Sequence, residues 1–360
     1  MEPFTFGFIG LGKMTREHLR RLAEFPDVRI AAICDTHAAQ VKEVGDRYGI
    51  DESKRYTAYE KLIQDPDVGV VVCVTPNDTH AAIIKACVDA GKPFLAEKPF
   101  TRTFDEAQEL LTLIRRKPVF HMIGYSYRYH PQFAYARALI QSGKLGTIRH
   151  AFFQYLQGWG SAALDGPMSW RFDRAVSGTG ALGDLGSHMI DMARFLVGEF
   201  HDVSGRLATF VRERRDPVTG GKVPVDVDDF ASFQATVGQD VAAVFQTSRN
   251  AIGSENRHEV YLYGDEGTLF VTSNDRGRVF RSYFGEDRKR ALEEMAVPQE
   301  NGSDQWDDFL NGLRGRPTGS ISTAIDGFVN QSVMEAIVRS HRERRTVELA
   351  AFPHGDRPIA

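Results

Sequence analysis

Residues 4–15 read Phe4-Thr5-Phe6-Gly7-Phe8-Ile9-Gly10-Leu11-Gly12-Lys13-Met14-Thr15. An apolar run that breaks on two glycines and then turns polar reads as a strand meeting a helix N-terminus. Gly10 permits a tight turn there. Gly12 lets backbone N–H groups approach a pyrophosphate at the helix N-terminus, with Lys13 and Met14 in the first turn. The third position of the pattern holds Thr15 where glycine or alanine is usual, which predicts slightly looser helix–strand packing. Alone the pattern is weak. Asp35 strengthens it, because it closes a second strand about 20 residues on, where a carboxylate binds a ribose 2′-hydroxyl. Asp35 also repels a 2′-phosphate, and Thr36 and His37 bring no arginine to receive one, so NAD is favoured over NADP. The plainer alternative is a pair of turn glycines and a capping aspartate.

Working outward, short apolar runs alternate with helical patterns over the first ~120 residues. Strands are expected at residues 4–9, 28–34, 69–74, 94–96 and 119–123. Helices are expected at 13–25, 40–48 and 79–90, with another ending at Arg116 and opened by a Thr103/Glu106 capping box. That is an α/β Rossmann domain, a doubly wound parallel sheet over residues 1–124. Beyond Gly124 the grammar changes. Helices at 131–142 and 184–197 accompany strands at 147–156, 202–211, 231–237, 241–248, 259–263 and 268–271. Consecutive strands predict a C-terminal α+β domain over 125–360, built on a large, mostly antiparallel open sheet. Helices near 306–313 and 323–339 remain to cover its broad face. An uncovered face predicts a homo-oligomer, a dimer or tetramer.

The composition, 42% hydrophobic and 26% charged, is that of a globular chain, and a net charge of −4 gives no footprint for nucleic acid or an anionic membrane. No stretch approaches the ~20 apolar residues of a membrane span. Glu2 and Pro3 stand where a signal peptide would be basic, and Cys34, Cys73 and Cys87 lack CxxC spacing. These features predict a cytoplasmic protein with reduced thiols.

Three further motifs carry chemistry. Thr75-Pro76-Asn77-Asp78-Thr79-His80 follows the buried strand at its carboxyl end, where doubly wound sheets bind ligands, although Asn77 or Asp78 could equally cap the next helix. Glu97-Lys98-Pro99 follows another strand end. A lysine there hydrogen-bonds a substrate hydroxyl or accepts its proton, while the ordinary reading is a surface ion pair. In Gly178–Asp191, helical spacing puts Asp184, His188 and Asp191 at i, i+4 and i+7 on one face, so that Asp184 orients the imidazole. A helix-dipole aspartate with an incidental histidine is the alternative. No further Cys, His or carboxylate cluster supplies ligands, so no metal is expected.

In this order the motifs resemble the glucose–fructose oxidoreductase/inositol dehydrogenase family, Gfo/Idh/MocA, over nearly the whole chain. The resemblance runs from Gly10-Leu11-Gly12 through Glu97-Lys98-Pro99 and Gly124-Tyr125-Ser126-Tyr127-Arg128 to Trp170-Arg171 and Asp184…His188…Asp191, and ends in a helix bearing Gly327 and Ser340. It implies Lys98, Asp184 and His188 as the catalytic trio, with Arg128 and Asp191 near the substrate. It implies a cofactor site of Gly10, Gly12, Lys13, Met14, Asp35, Thr75, Pro76, Asn77, His80, Glu97, Lys98, Ser126, Trp170 and Arg171, where Trp170-Arg171 closes over the cofactor. The sequence departs from the family at Thr15, at Ser126 where asparagine is frequent, and at Thr179 where a third glycine often stands. The implied activity is NAD-dependent oxidation of a secondary alcohol on a sugar or cyclic polyol, of inositol, aldose or anhydrosugar type. His188 or Lys98 would take the proton. The same fold also hosts redox-assisted glycosidases and non-catalytic dinucleotide-sensing regulators, the latter typically without the lysine and histidine found here.

Overall fold

The computed structural model describes residues 3–275, 278–283, 292–298, 304–317 and 319–350, so Glu2 lies outside the described residues. The chain divides into two compact units. Among the described residues, one runs up to Gly124 and takes in Trp306–Phe328; the other is 125–305 with 329–350. The return of Trp306–Phe328 to the first unit is absent from the single boundary expected at residue 124.

The first unit alternates strand and helix: β1 (Phe4–Ile9), α1 (Lys13–Leu22), β2 (Val28–Cys34), α2 (Ala38–Tyr48), β3 (Arg55–Tyr56), α3 (Tyr59–Gln64), β4 (Val70–Cys73), α4 (Asn77–Asp89), β5 (Phe94–Ala96), α5 (Phe104–Arg116) and β6 (His121–Ile123). The strands form one parallel sheet in the order β3-β2-β1-β4-β5-β6, the doubly wound arrangement. Every residue of β4 is buried, as an apolar run of three valines and Cys73 requires when helices cover both faces. The Thr103/Glu106 capping box opens α5. The strand β3 and helix α3 were not expected, since two- and six-residue elements hold too little periodicity to register. The helix Gln305–Leu313 corrects an expectation. Trp306 and Phe309 pack on Phe6 at 5.9 and 6.4 Å between ring centroids, and Phe309 on Phe120 at 5.4 Å. It therefore covers the first unit's sheet rather than the broad face of the second.

The second unit begins with α6 (Pro131–Gln141), β7 (Ile148–Gln157), a short α7 (Arg174–Ser177) and α8 (Ser187–Leu196). Strands follow: β8 (Phe200–Ala208), a β9–β10 hairpin (Glu213–Arg215, Lys222–Pro224), β11 (Phe230–Val237), β12 (Val241–Ser248), β13 (Asn256–Gly264), β14 (Gly267–Thr272), β15 (Arg278–Tyr283), β16 (Glu293–Ala296) and β17 (Val347–Glu348). All but β9 and β10 join β7 in one nine-stranded sheet in the order β16-β15-β14-β13-β7-β12-β11-β8-β17. Among the described residues its pairs are antiparallel except β7 with β12. One face is the core. Phe233, Phe245 and Phe153 stack at 4.4 and 4.8 Å, beneath Leu185, Met189 and Met192 and beside Val333 and Ile337 of the helix Ala324–Glu343. The other face bears a row of half-buried aromatics, with Phe152, Tyr261, Phe270 and Phe280 in successive contact.

Candidate functional site

In the first unit, Gly10 leaves β1 with φ +86°, and a Cβ there would lie 2.5 Å from the Val74 carbonyl oxygen, so only glycine is accommodated. Gly12 differs. Its φ is −71°, and a Cβ would meet nothing within 4 Å. The protein's own atoms do not demand glycine at 12; an outside group seated on the α1 N-terminus would. Thr15 is buried and its hydroxyl donates to the Gly10 carbonyl at 2.5 Å, so a hydrogen bond replaces the looser packing expected there. Lys13 and Met14 are exposed in the first turn of α1.

Asp35 ends β2 with one oxygen accepting from the Leu11 N–H at 2.8 Å and the other from the His37 N–H at 2.9 Å. Its carboxylate thus braces the glycine turn while 16% of the side chain stays exposed. These residues suit a dinucleotide: an open cradle at a helix N-terminus and a carboxylate beside it.

After β4, Pro76 stands at the α4 N-cap, and neither Asn77 nor Asp78 caps the helix. The Thr79 hydroxyl donates to Thr75 Oγ1 at 2.7 Å and fixes this turn. His80 exposes none of its surface. Its nitrogens lie 2.9 Å from the Pro99 carbonyl and 3.0 Å from the Thr75 carbonyl, tying the α4 turn to the Lys98–Pro99 segment. Burial lowers its pKa, against the pull of both carbonyls. His80, expected as a cofactor contact, is buried here and braces the α4 turn. Glu97 accepts at 3.1 Å from His18 and at 3.3 Å from the Lys98 N–H. Burial pushes its carboxyl up, but the bond to His18 and the charges of His18 and Lys98 outweigh that and leave it below the ordinary glutamate value. Lys98 itself is half-buried, directly after β5, and the Lys98–Pro99 peptide is cis.

In the second unit, Asp184 does not sit in a regular α-helix. Leu182–Gly186 form a π-turn that runs into α8, where a single α-helix from residue 184 was expected. The turn is held from the loop that precedes β11. Buried Asp228 accepts the Gly180 and Leu182 N–H groups at 2.7 and 2.8 Å, and a Cβ on Gly180 would fall 1.8 Å from the Asp228 carbonyl oxygen. Burial raises the Asp228 pKa in spite of these bonds.

Asp184 forms an ion pair with Arg249 at 3.2 Å. The His188 ring lies among tyrosines: edge-on to Tyr127 at 4.9 Å and Tyr125 at 6.4 Å, and 5.9 Å from Tyr155. The Tyr127 and Tyr155 hydroxyls are 2.7 Å apart, and Tyr155 donates to Asn256 at 2.7 Å. Behind them His258, which burial pushes down to about 3, stacks on Tyr155. Arg128 and Asp191, expected at the substrate, are joined to each other in a buried fork of 2.8 and 2.5 Å. The fork locks the Ser126–Tyr129 turn, with Ser126 half-buried at its start, to α8. Trp170 and Arg171 share a 3₁₀ turn in which the guanidinium lies 4.2 Å over the indole. Burial lowers the Arg171 pKa. Among the described residues no group of three or more His, Cys, Asp or Glu is arranged to hold a metal ion.

Residues 4–125 match the model of an oxidoreductase family with an NAD-binding Rossmann fold, and residues 133–270 match the GFO/IDH/MocA C-terminal domain. The chain belongs to the Gfo/Idh/MocA family. Levoglucosan dehydrogenase of Pseudarthrobacter phenanthrenivorans is 35% identical over 290 residues, 75% of this chain and 73% of that protein. Inositol 2-dehydrogenase of Rhizobium meliloti is 25% identical over 96% of this chain and 99% of its own. A solved levoglucosan dehydrogenase in complex with NADH and levoglucosan superposes with a TM-score of 0.89 at 29% identity, covering 97% of this chain and all of that one.

As a Gfo/Idh/MocA oxidoreductase the protein uses NAD, and its residues around His188 and Asp184 include several that sequence reasoning passed over. Tyr127, Tyr155, Asn256, Asp228 and Arg249 come from elements far apart in the chain. One faint signal existed: β7 alternates from Ala151 to Tyr155, and its inward positions change from Ala151 and Phe153 to the hydroxyl-bearing Tyr155 near its carboxyl end.

Proposed function

We propose that this enzyme oxidises a secondary alcohol of a cyclic polyol or anhydrosugar, with NAD as acceptor. The observation that carries the reading is the His188 environment: an imidazole ringed by tyrosines, one turn from a carboxylate paired with Arg249. The sugar and inositol dehydrogenases among its relatives support the substrate class. Gly10, Gly12, Lys13, Met14 and Asp35 would hold the dinucleotide, with Thr75, Pro76, Asn77, Glu97, Lys98, Ser126, Trp170 and Arg171 completing its surroundings and His80 bracing them. Bound NAD supplies the hydride acceptor. His188 receives the hydroxyl proton, Asp184 steadies the resulting imidazolium, and Lys98 donates a hydrogen bond to the carbinol oxygen. Arg128 and Asp191 shape the site through α8.

A panel of inositols, aldoses and anhydrosugars, followed by NADH absorbance, tests this. NADH accumulating in step with oxidised product supports it. Product without net NADH would point to redox-assisted glycoside cleavage, and binding without turnover to a regulator.

The row of aromatics on the open sheet face supports a homo-oligomer, dimer or tetramer, joined there. Sedimentation as a monomer at micromolar concentration would refute it. No helix among the described residues is long and apolar enough to cross a membrane. The three cysteines are buried and free, and burial pushes the Cys73 thiol up to about 11, which agrees with a reducing cytoplasm.

A further inference from the structure

Arg249, directly after β12, is 1% exposed and heads the largest fully buried side chains among the described residues. A guanidinium at that depth must be paired. One terminal nitrogen lies 3.2 Å from the Asp184 carboxylate, and the other donates to the Arg171 carbonyl at 3.0 Å. The same group lies over the Trp159 and Phe172 rings at 5.1 and 5.7 Å. Its backbone carbonyl accepts the Gly160 N–H at 2.9 Å, and a Cβ on Gly160 would come within 2.9 Å of its side chain. One residue thus grips the 159–160 segment, the Trp170–Phe172 turn and the π-turn that carries Asp184.

We propose that Arg249 is a positioning residue that makes the placement of the Asp184 carboxylate depend on the order of the 159–172 loop. The inference rests on the role given to Asp184 and His188 above. Lysine could not replace it, because a point charge cannot meet the carboxylate and the Arg171 carbonyl together as a planar fork does. The groups facing Asp184 and His188 are Arg249 directly after β12, Arg171 from the 3₁₀ turn, Tyr155 from β7, and Tyr125 and Tyr127 with the Arg128–Asp191 pair behind them. Deleting the Arg249 charge leaves one cation fewer beside the carboxylate. A proton on Asp184 or His188 is then held more tightly, and the acid limb of kcat/KM moves to higher pH.

The test uses Arg249→Met, Arg249→Lys and Asp184→Asn in the full-length enzyme. The readouts are pH profiles of NADH formation with the best polyol and amide hydrogen exchange across residues 159–172. Arg249→Met should lower kcat/KM by about 10²-fold and raise the acid limb by about one pH unit. Arg249→Lys should lose about tenfold with the limb unmoved. Asp184→Asn should speed exchange in the 159–172 loop, an effect that a carboxylate serving chemistry alone would not have. An unmoved limb in Arg249→Met, or unchanged loop exchange in Asp184→Asn, overturns the proposal. If Arg249→Met does not fold, the Asp184→Asn exchange decides it. Should the wild type reduce no NAD with any polyol, the dehydrogenase reading fails, and loop exchange still upholds or overturns the clamp.

Discussion

The Gly10–Gly12 turn and the Gly178–Asp191 segment each set backbone beside a carboxylate, but they are built in opposite ways. The first is local: a strand end, two glycines and a helix N-terminus adjacent in sequence, braced by Asp35 from the neighbouring strand. The second is assembled at long range. Its π-turn is pinned by Asp228, its carboxylate by Arg249 and its imidazole by tyrosines from β7 and the Tyr125–Tyr129 stretch. A local device tolerates change around it. A long-range one fails when any of its distant supports is removed.

The largest expected effect lies on the long-range side. His188→Ala should lower turnover by about 10²-fold or more with NAD affinity nearly unchanged, measured by steady-state kinetics and NADH fluorescence titration. Full activity would make the histidine structural. Next comes a paired glycine test. Gly180→Ala puts its Cβ against the Asp228 backbone and should destabilise the fold by roughly 3 kcal/mol. Gly12→Ala, in open space at an ordinary φ, should leave the melting temperature alone yet weaken NAD binding by about tenfold or more, about 1.4 kcal/mol. Equal melting temperatures for the two variants would break the contrast.

How much of each region was legible follows the same line. The parallel sheet, the turn, Asp35 and the α5 capping box could be read because their residues interact within a few positions or through one repeated pattern. Arg249 could not be singled out, since nothing near it in sequence distinguishes a buried arginine from a surface one. The π-turn was invisible because Gly183 and Gly186 are as compatible with an α-helix. The β9–β10 hairpin, β15, the edge strands β16 and β17, and β3 are too short or too polar for alternation to register. The helix Gln305–Leu313 was recognised as a helix but given the wrong sheet, because its partner Phe6 lies at the far end of the chain.

Two smaller effects sharpen the local side. NAD should bind at least about tenfold more tightly than NADP, and Asp35→Ala with an arginine at Thr36 should narrow that gap in parallel titrations. Equal affinities in the wild type would refute the assignment. Glu97 gives the smallest signal. Its folded pKa lies below the ordinary 4.5, so its stabilisation is fully present above that value and is lost as pH falls through the folded pKa. Melting temperature should therefore decline less steeply below about pH 4.5 in Glu97→Gln than in the wild type. Parallel declines would show that Glu97 is not the titrating group.

The return of Trp306–Phe328 to the first unit has a consequence for biosynthesis. A nascent chain emerges at about 5–20 residues per second, and N-terminal domains commonly fold before the rest appears. Here Phe6 and Phe120 wait for Trp306 and Phe309, and the Ile123 N–H waits for the Ser322 carbonyl. The dinucleotide-binding unit is therefore finished only after residues 306–328 have left the ribosome, so it is sealed later than β7–β16 of the second unit are synthesised.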